Sequence, residues 1–247
     1  MIGAIAFSFQ IYCDFSGYTD IALGAAKLFG FELLTNFKFP YFSRDIAEFW
    51  RRWHISLSSW FRDYLYIPLG GSKQGKLNAI RNTFIIFLVS GFWHGASWNF
   101  IAWGFIHACG FLPLLILKRN RIHISEIVAH NRNLPNIKEL VQMIGTFLFV
   151  TIAWIFFRTD NLKNAFGYIW LIIKNSYTNP SQFLHPPKSI GSLIILIPFI
   201  LVEWWLRRDE RNLRSVNSWL RYPLYIGMIY IIIVHFGGNT AFIYFQF

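Results

Sequence analysis

Apolar residues dominate five stretches of this chain, roughly Ala79 to Phe92, Trp98 to Leu117, Leu140 to Phe157, Ile190 to Leu206 and Tyr222 to Phe236, each bounded by charged or turn-forming residues. A helix needs about 20 mostly apolar residues to cross the hydrocarbon core of a bilayer. The five stretches therefore predict membrane helices, the first and last falling short of a full crossing. Another apolar run starts at Met1 but meets Asp14 and Asp20 before it reaches crossing length. Those carboxylates predict pairing with arginine or the capping of a broken helix that helps to form a cavity wall.

The periodicity changes between Arg44 and Asp63. At about 100° per residue, Ile46, Phe49, Trp50, Trp53, Leu57, Trp60 and Phe61 fill one arc, while Arg44, Asp45, Glu48, Arg51, Arg52, Ser59, Arg62 and Asp63 lie opposite. This pattern predicts one amphipathic helix over 44–63, too charged to span and placed in the interface or as a re-entrant element. Glu48 stands four residues from both Arg44 and Arg52, so its charge can be matched within the helix.

Composition agrees with a lipid surround. Of 247 residues, 55% are hydrophobic, 20% aromatic and only 14% charged, against about 25% charged in ordinary soluble domains. An all-α, polytopic membrane protein with a single domain over 1–247 is predicted, and disorder or an ordinary soluble enzyme is excluded. The net charge of +11 is concentrated in two loops, with five Lys or Arg from Lys118 to Lys138 and five from Arg207 to Arg221. Cations bunched between apolar runs read as membrane topology rather than nucleic-acid binding. They put both loops and the turn from Pro68 to Arg81 in the cytoplasm, and a loop from Arg158 to Lys188 and the C-terminal tail outside. No basic region and cleavage site mark a secretory signal at Met1, and the start reads as the middle of something longer. Cys13 and Cys109, both in apolar stretches, are expected to be buried, inert thiols with no disulfide or metal role.

Candidate chemistry centres on histidine. His94 lies between two predicted spans, in a setting of glycines and tryptophans. An ionisable side chain at such depth usually faces a cavity and marks a site. Desolvation disfavours the imidazolium, which leaves a neutral ring able to act as a general base. His54, at the edge of the amphipathic arc, reads on spacing alone as a packed, hydrogen-bonded side chain. His107 reads as buried packing, His123, His130 and His185 as loop residues, and His235 stays open. Zinc-protease, Cys-x-x-Cys, phosphate-loop and nucleophile-elbow motifs are missing from the sequence, and neither metal nor bound cofactor is expected.

Five segments in order carry a family resemblance: FQIYCDFSGYTD (Phe9 to Asp20), FWRRWHISLS (Phe49 to Ser58), FRDYLYIPLGG (Phe61 to Gly71), WHG (Trp93 to Gly95) and FIYFQF (Phe242 to Phe247). With them the chain resembles the membrane-bound O-acyltransferase family, most closely its bacterial alginate O-acetylation branch, over that family's C-terminal half. The resemblance implies a ring of transmembrane and re-entrant helices around a tunnel, present here in part, in the bacterial cytoplasmic membrane. It implies O-acetyl transfer from a cytoplasmic thioester, such as acetyl-coenzyme A or an acyl carrier, to hydroxyls of an extracytoplasmic polymer, with an extracytoplasmic transfer protein as partner. The family's catalytic histidine falls on His94, and a second important one on His54. The tail is similar to the C-terminal aromatic motif of the small membrane protein of teichoic-acid D-alanylation. On that likeness Tyr244 is a candidate acyl relay, with an interfacial aromatic anchor as the plainer reading. Competing readings of the whole chain are a lipid O-acyltransferase and a non-catalytic transporter or scaffold segment.

Overall fold

A computed structural model describes residues 1–124, 126–178, 189–208 and 217–235. Among them the secondary structure is helical, with no strand. Among the described residues nine α-helices follow in order: α1 Ile2–Leu28, α2 Ile46–Arg52, α3 Ile55–Phe61, α4 Lys76–His94, α5 Trp98–Ile116, α6 Ile137–Arg158, α7 Leu162–Thr178, α8 Ser189–Leu206 and α9 Ser218–His235. Each of the five predicted spans falls on one of α4, α5, α6, α8 and α9. Two of these, α5 and α6, are long and apolar enough by themselves to cross a membrane.

Three expectations are corrected. Asp14 and Asp20 break nothing, because α1 runs unbroken for 27 residues. Its buried stripe of Ala4, Phe7, Ile11, Tyr12 and Phe15 packs on α6, and Asp20 lies on an exposed face where a carboxylate needs no helix break. Cys13 and Cys109 are exposed on the outer faces of α1 and α5 rather than buried. The segment after Arg158, expected as loop, forms α7, which lays Ala165 and Ile169 into the core and turns Phe166 and Trp170 outward.

Small residues set the tightest packing. A Cβ on Gly91 of α4 would collide with the Phe100 carbonyl, and one on Gly104 of α5 with the Phe87 carbonyl. The α4–α5 pair therefore meets backbone to backbone, as membrane helices do where glycines face each other. Polar contacts join the other helices: Ser8 Oγ donates to Thr151 Oγ1 at 3.1 Å between α1 and α6, and Tyr12 donates to Glu203 of α8 at 2.6 Å. The aromatic core of Tyr12, Phe15, Phe49, Trp53, Trp103 and Trp154 lies where α1, α2, α5 and α6 converge. Outward faces carry Trp98, Phe105, Val141, Trp205 and Ile233, an extent of large apolar surface that marks contact with something other than water.

Candidate functional site

The amphipathic segment is two helices, not one. After Arg52 the backbone turns through an extended Trp53 (φ −107°, ψ 128°) and a left-handed His54 (φ 44°, ψ 56°) before α3 begins. The turn is held from outside the segment. Lys38 N–H donates to the Arg52 carbonyl and Ile55 N–H to the Asn36 carbonyl, both at 3.0 Å. The Asn36 side-chain oxygen also accepts from Ser56 N–H at 3.1 Å and Ser56 Oγ–H at 2.6 Å. A helical wheel cannot register these long-range bonds.

The break aims His54. Its ring packs edge-on to Phe15 at 4.7 Å between centroids and stands 6.5 Å from Trp93. His54 Nδ1 lies 3.4 Å from Asn36 Oδ1. An oxygen already accepting two hydrogens from Ser56 faces His54 as an acceptor, which places the ring proton on Nδ1 and leaves Nε2 as the basic nitrogen. Burial lowers the pKa of His54 to about 4, so the ring is neutral near pH 7.

His94 closes α4, half-buried, one residue from Trp93. Its ring is edge-on to Trp93 at 4.9 Å, Phe157 at 5.0 Å and Trp103 at 5.2 Å. The chain can turn away directly because residue 95 is glycine, where a Cβ would stand 2.7 Å from the Phe100 ring. Asn99 then opens α5 and ties it to the end of α6 by donating to the Thr159 carbonyl. His54 and His94, 40 positions apart in sequence, thus both neighbour one indole, Trp93.

The remaining sequence candidates divide. His107 is fully buried and its Nδ1 accepts from Trp50 Nε1 at 3.3 Å, in agreement with a packing role. His123 lies 3.9 Å from Asp45 in the basic loop. Tyr244 lies outside the described residues. Among the described residues no group of three or more His, Cys, Asp or Glu could hold a metal.

Several residues that matter were not legible beforehand. Arg44 and Glu48, assigned to the polar face, are 6% and 0% exposed. Glu48 accepts from Arg44 Nε at 3.0 Å and Arg52 Nη2 at 2.7 Å, so the predicted pairing within the segment stands while its exposure does not. Burial alone would raise the Glu48 pKa, but the Arg44 hydrogen bond and the Arg52 charge outweigh it and bring the net value below the usual carboxylate range. Asn82, fully buried, donates to the carbonyls of Leu69 and Gly71 and fixes the glycine turn before α4. Between that turn, α2–α3 and α4–α5 lies a cavity of about 230 Å³, with Trp50, Phe87 and Phe111 on its apolar side and Arg62, Asn120 and Arg121 on its polar side.

Comparison with known proteins sets this geometry in context. The family model described as MBOAT, membrane-bound O-acyltransferase family, matches residues 1–155. A probable alginate O-acetylase AlgI of Pseudomonas putida is 44% identical over 164 residues, 66% of this chain and 31% of the relative. A peptidoglycan O-acetyltransferase of Helicobacter pylori is 43% identical over 162 residues, 66% of this chain and 29% of the relative. A teichoic acid D-alanyltransferase of Streptococcus thermophilus is 36% identical over 151 residues, 58% of this chain and 36% of the relative. The chain matches about a third of the length of these curated relatives.

Proposed function

The chain belongs to the membrane-bound O-acyltransferase family, and from that premise we propose that it is the histidine-bearing part of an O-acetyltransferase of the bacterial cytoplasmic membrane. The donor is a cytoplasmic acyl thioester, acetyl-coenzyme A or an acyl carrier, and the acceptor is a hydroxyl of an extracytoplasmic polysaccharide or cell-wall polymer. The names of the relatives, which act on alginate, peptidoglycan and teichoic acid, support a polymer acceptor. The observation that carries the proposal is the meeting of His54 and His94 at Trp93, inside the stretch matched by the family model.

His94 takes the proton of the acceptor hydroxyl as its oxygen attacks the thioester carbonyl. The tetrahedral intermediate collapses with cleavage of the C–S bond, and the proton passes from the imidazolium to the departing thiolate. Thiolates leave without strong acid help, so base catalysis worth typically about 10² to 10⁴-fold is well matched to the step. His54, held by Asn36, positions or assists His94. The 230 Å³ cavity, polar at Arg62 and Arg121 and apolar towards Phe87, suits an acyl thioester arm arriving from the side of the basic loop. In the relay form of the reaction the hydroxyl deprotonated at His94 is the Tyr244 phenol, which becomes a phenyl ester as the thiol leaves; a hydroxyl presented by the extracytoplasmic partner or polymer then attacks that ester, taking the acyl group and returning the proton to the phenolate. The wider architecture that goes with this reading is a multi-pass ring of spanning and re-entrant helices, of which this chain supplies part.

The test is His94→Ala in the complete system, with alkali-released acetate on the polymer as readout and membrane protein level followed in parallel. Acetylation lost at unchanged protein level is expected; retained acetylation overturns the assignment. Tyr244→Phe tests the relay separately, and full acetylation in that variant ends it.

A further inference from the structure

Helical spacing ties the 230 Å³ cavity to the histidines. On α4, Thr83, Phe87 and Ser90 line it, and at about 100° per residue His94 falls on the same face one turn further on. On α5 a row of positions four apart carries Trp103, His107, Phe111 and Leu115. Phe111 and Leu115 line the cavity, while Trp103 meets His94 edge-on at 5.2 Å. His107 lies between them in that row, fully buried and outside the cavity lining. Its link to the cavity is Trp50, which lines the space and donates from Nε1 to His107 Nδ1 at 3.3 Å.

Accepting at Nδ1 makes the neutral ring the Nε2–H tautomer. Nε2 is buried and has no hydrogen-bond partner among the described residues. The histidine therefore carries an unmet donor that an aliphatic side chain of similar bulk would not, at a cost in stability. What it supplies, and an apolar residue cannot, is an acceptor for Trp50. The imidazole is itself held in place: Phe49 and Phe87 run nearly parallel to it, at 6.3 and 6.1 Å between centroids, and Trp103 packs edge-on at 5.0 Å. The Trp50 ring meets this fixed acceptor at 81°, so the hydrogen bond selects one orientation of the indole.

We propose that His107 is a positioning residue: by holding the Trp50 indole it fixes the wall along which the acyl thioester arm of the donor reaches His94. The inference rests on the acyltransferase reading of this cavity and adds to it a residue that touches no reacting atom. An indole released from His107 must be ordered again each time the donor enters so small a space, and that cost falls on binding. Its loss is felt as a rise in KM for the donor at unchanged kcat, the mark of an interaction that serves ground state and transition state alike.

The test follows transfer of labelled acetate from acetyl-coenzyme A in inverted membrane vesicles that carry the full chain within the complete system, with initial rates taken over a range of donor concentration and protein level measured in parallel. His107→Leu is expected to raise the KM for acetyl-coenzyme A about five- to tenfold, the worth of one hydrogen bond, and to leave kcat within about twofold. His107→Asn, whose side-chain oxygen falls where Nδ1 stood, is expected to bring KM back to within about twofold of the wild type. His107→Gln, with its polar group one bond further out, is expected to stay near the Leu variant. Trp50→Phe deletes the same bond from the other side, and adding His107→Leu to it is expected to raise KM by less than about twofold more, since the two changes remove one interaction. Because His107 is fully buried, the Asn and Gln variants, both polar and close to it in size, carry the decision if the Leu variant is lost from the membrane. A KM indifferent to whether the acceptor stands at the δ or the ε position, a fall in kcat at unchanged KM, or an unmoved KM in Trp50→Phe overturns the proposal while the acyltransferase reading stands. Wild-type vesicles that transfer no acetate overturn that reading and the positioning role with it.

Discussion

Asn36 is the residue through which the chain controls His54. One carboxamide oxygen holds the first turn of α3 through Ser56 and meets the imidazole at Nδ1. Asn36→Leu removes all of these contacts and is expected to lower acetylation by up to about 10²-fold, the scale of a misplaced reacting group. Asn36→Asp keeps the acceptor oxygen and is expected to retain far more, so acetylation rates of the two variants at equal protein level check the assignment. Nothing in the sequence singled out Asn36, since it lies outside every patterned stretch and acts across 18 positions. His94 was legible from its setting among glycines and tryptophans. His54 gained its weight from the family resemblance, and its spacing alone suggested packing.

Two elements carry further expectations. The α4–α5 pair depends on carbonyls resting against Gly91 and Gly104, and backbone cannot give way as a side chain can. Gly91→Val is expected to cost at least about 1–3 kcal/mol, the range of an overpacked core, seen as a lower Tm in detergent and a smaller membrane-inserted fraction. In α2 the buried Glu48 between two arginines predicts a defined acid response. Its folded pKa lies below the usual value, so its stabilisation is complete above the unfolded pKa and is lost as pH falls through the folded one. Tm is therefore expected to drop as pH falls below about 4, near the ordinary carboxylate value. Glu48→Gln is expected to lower Tm at pH 7 by the equivalent of about 3–5 kcal/mol, as when one partner leaves a buried pair, and to flatten the acid limb. The wheel found the Glu48 pairing because i±4 neighbours are local. It missed the burial of Arg44 and Glu48 because the covering groups, the Glu126 carbonyl among them, come from the loop after α5.

At the scale of the whole molecule, apolar run length located α4, α5, α6, α8 and α9, because lipid solvation leaves a continuous signature in sequence. The same rule misjudged α1 and α7. In α1, two acids were given the weight of a helix break, yet a carboxylate on an exposed face leaves the backbone ladder intact. In α7, scattered lysines hid a face that packs into the core. The convergence at Trp93 joins segments from α1, the 36–38 run, α3 and the α4–α5 turn, and no window along the chain contains them together.

The arginines in and just before α2 also impose an order on biosynthesis. Arg44, Arg51 and Arg52 donate to carbonyls of Asn120, His123 and Glu126, residues that a ribosome adds only after it has made α4 and α5. Chains emerge N-terminus first at about 5–20 residues per second, so α2 exists for several seconds before those acceptors do. Throughout that interval Glu48 can already be clasped by Arg44 and Arg52 from its own segment. The nascent α2 can therefore wait at the membrane surface with its acid neutralised, and the arrival of the later loop latches it in place.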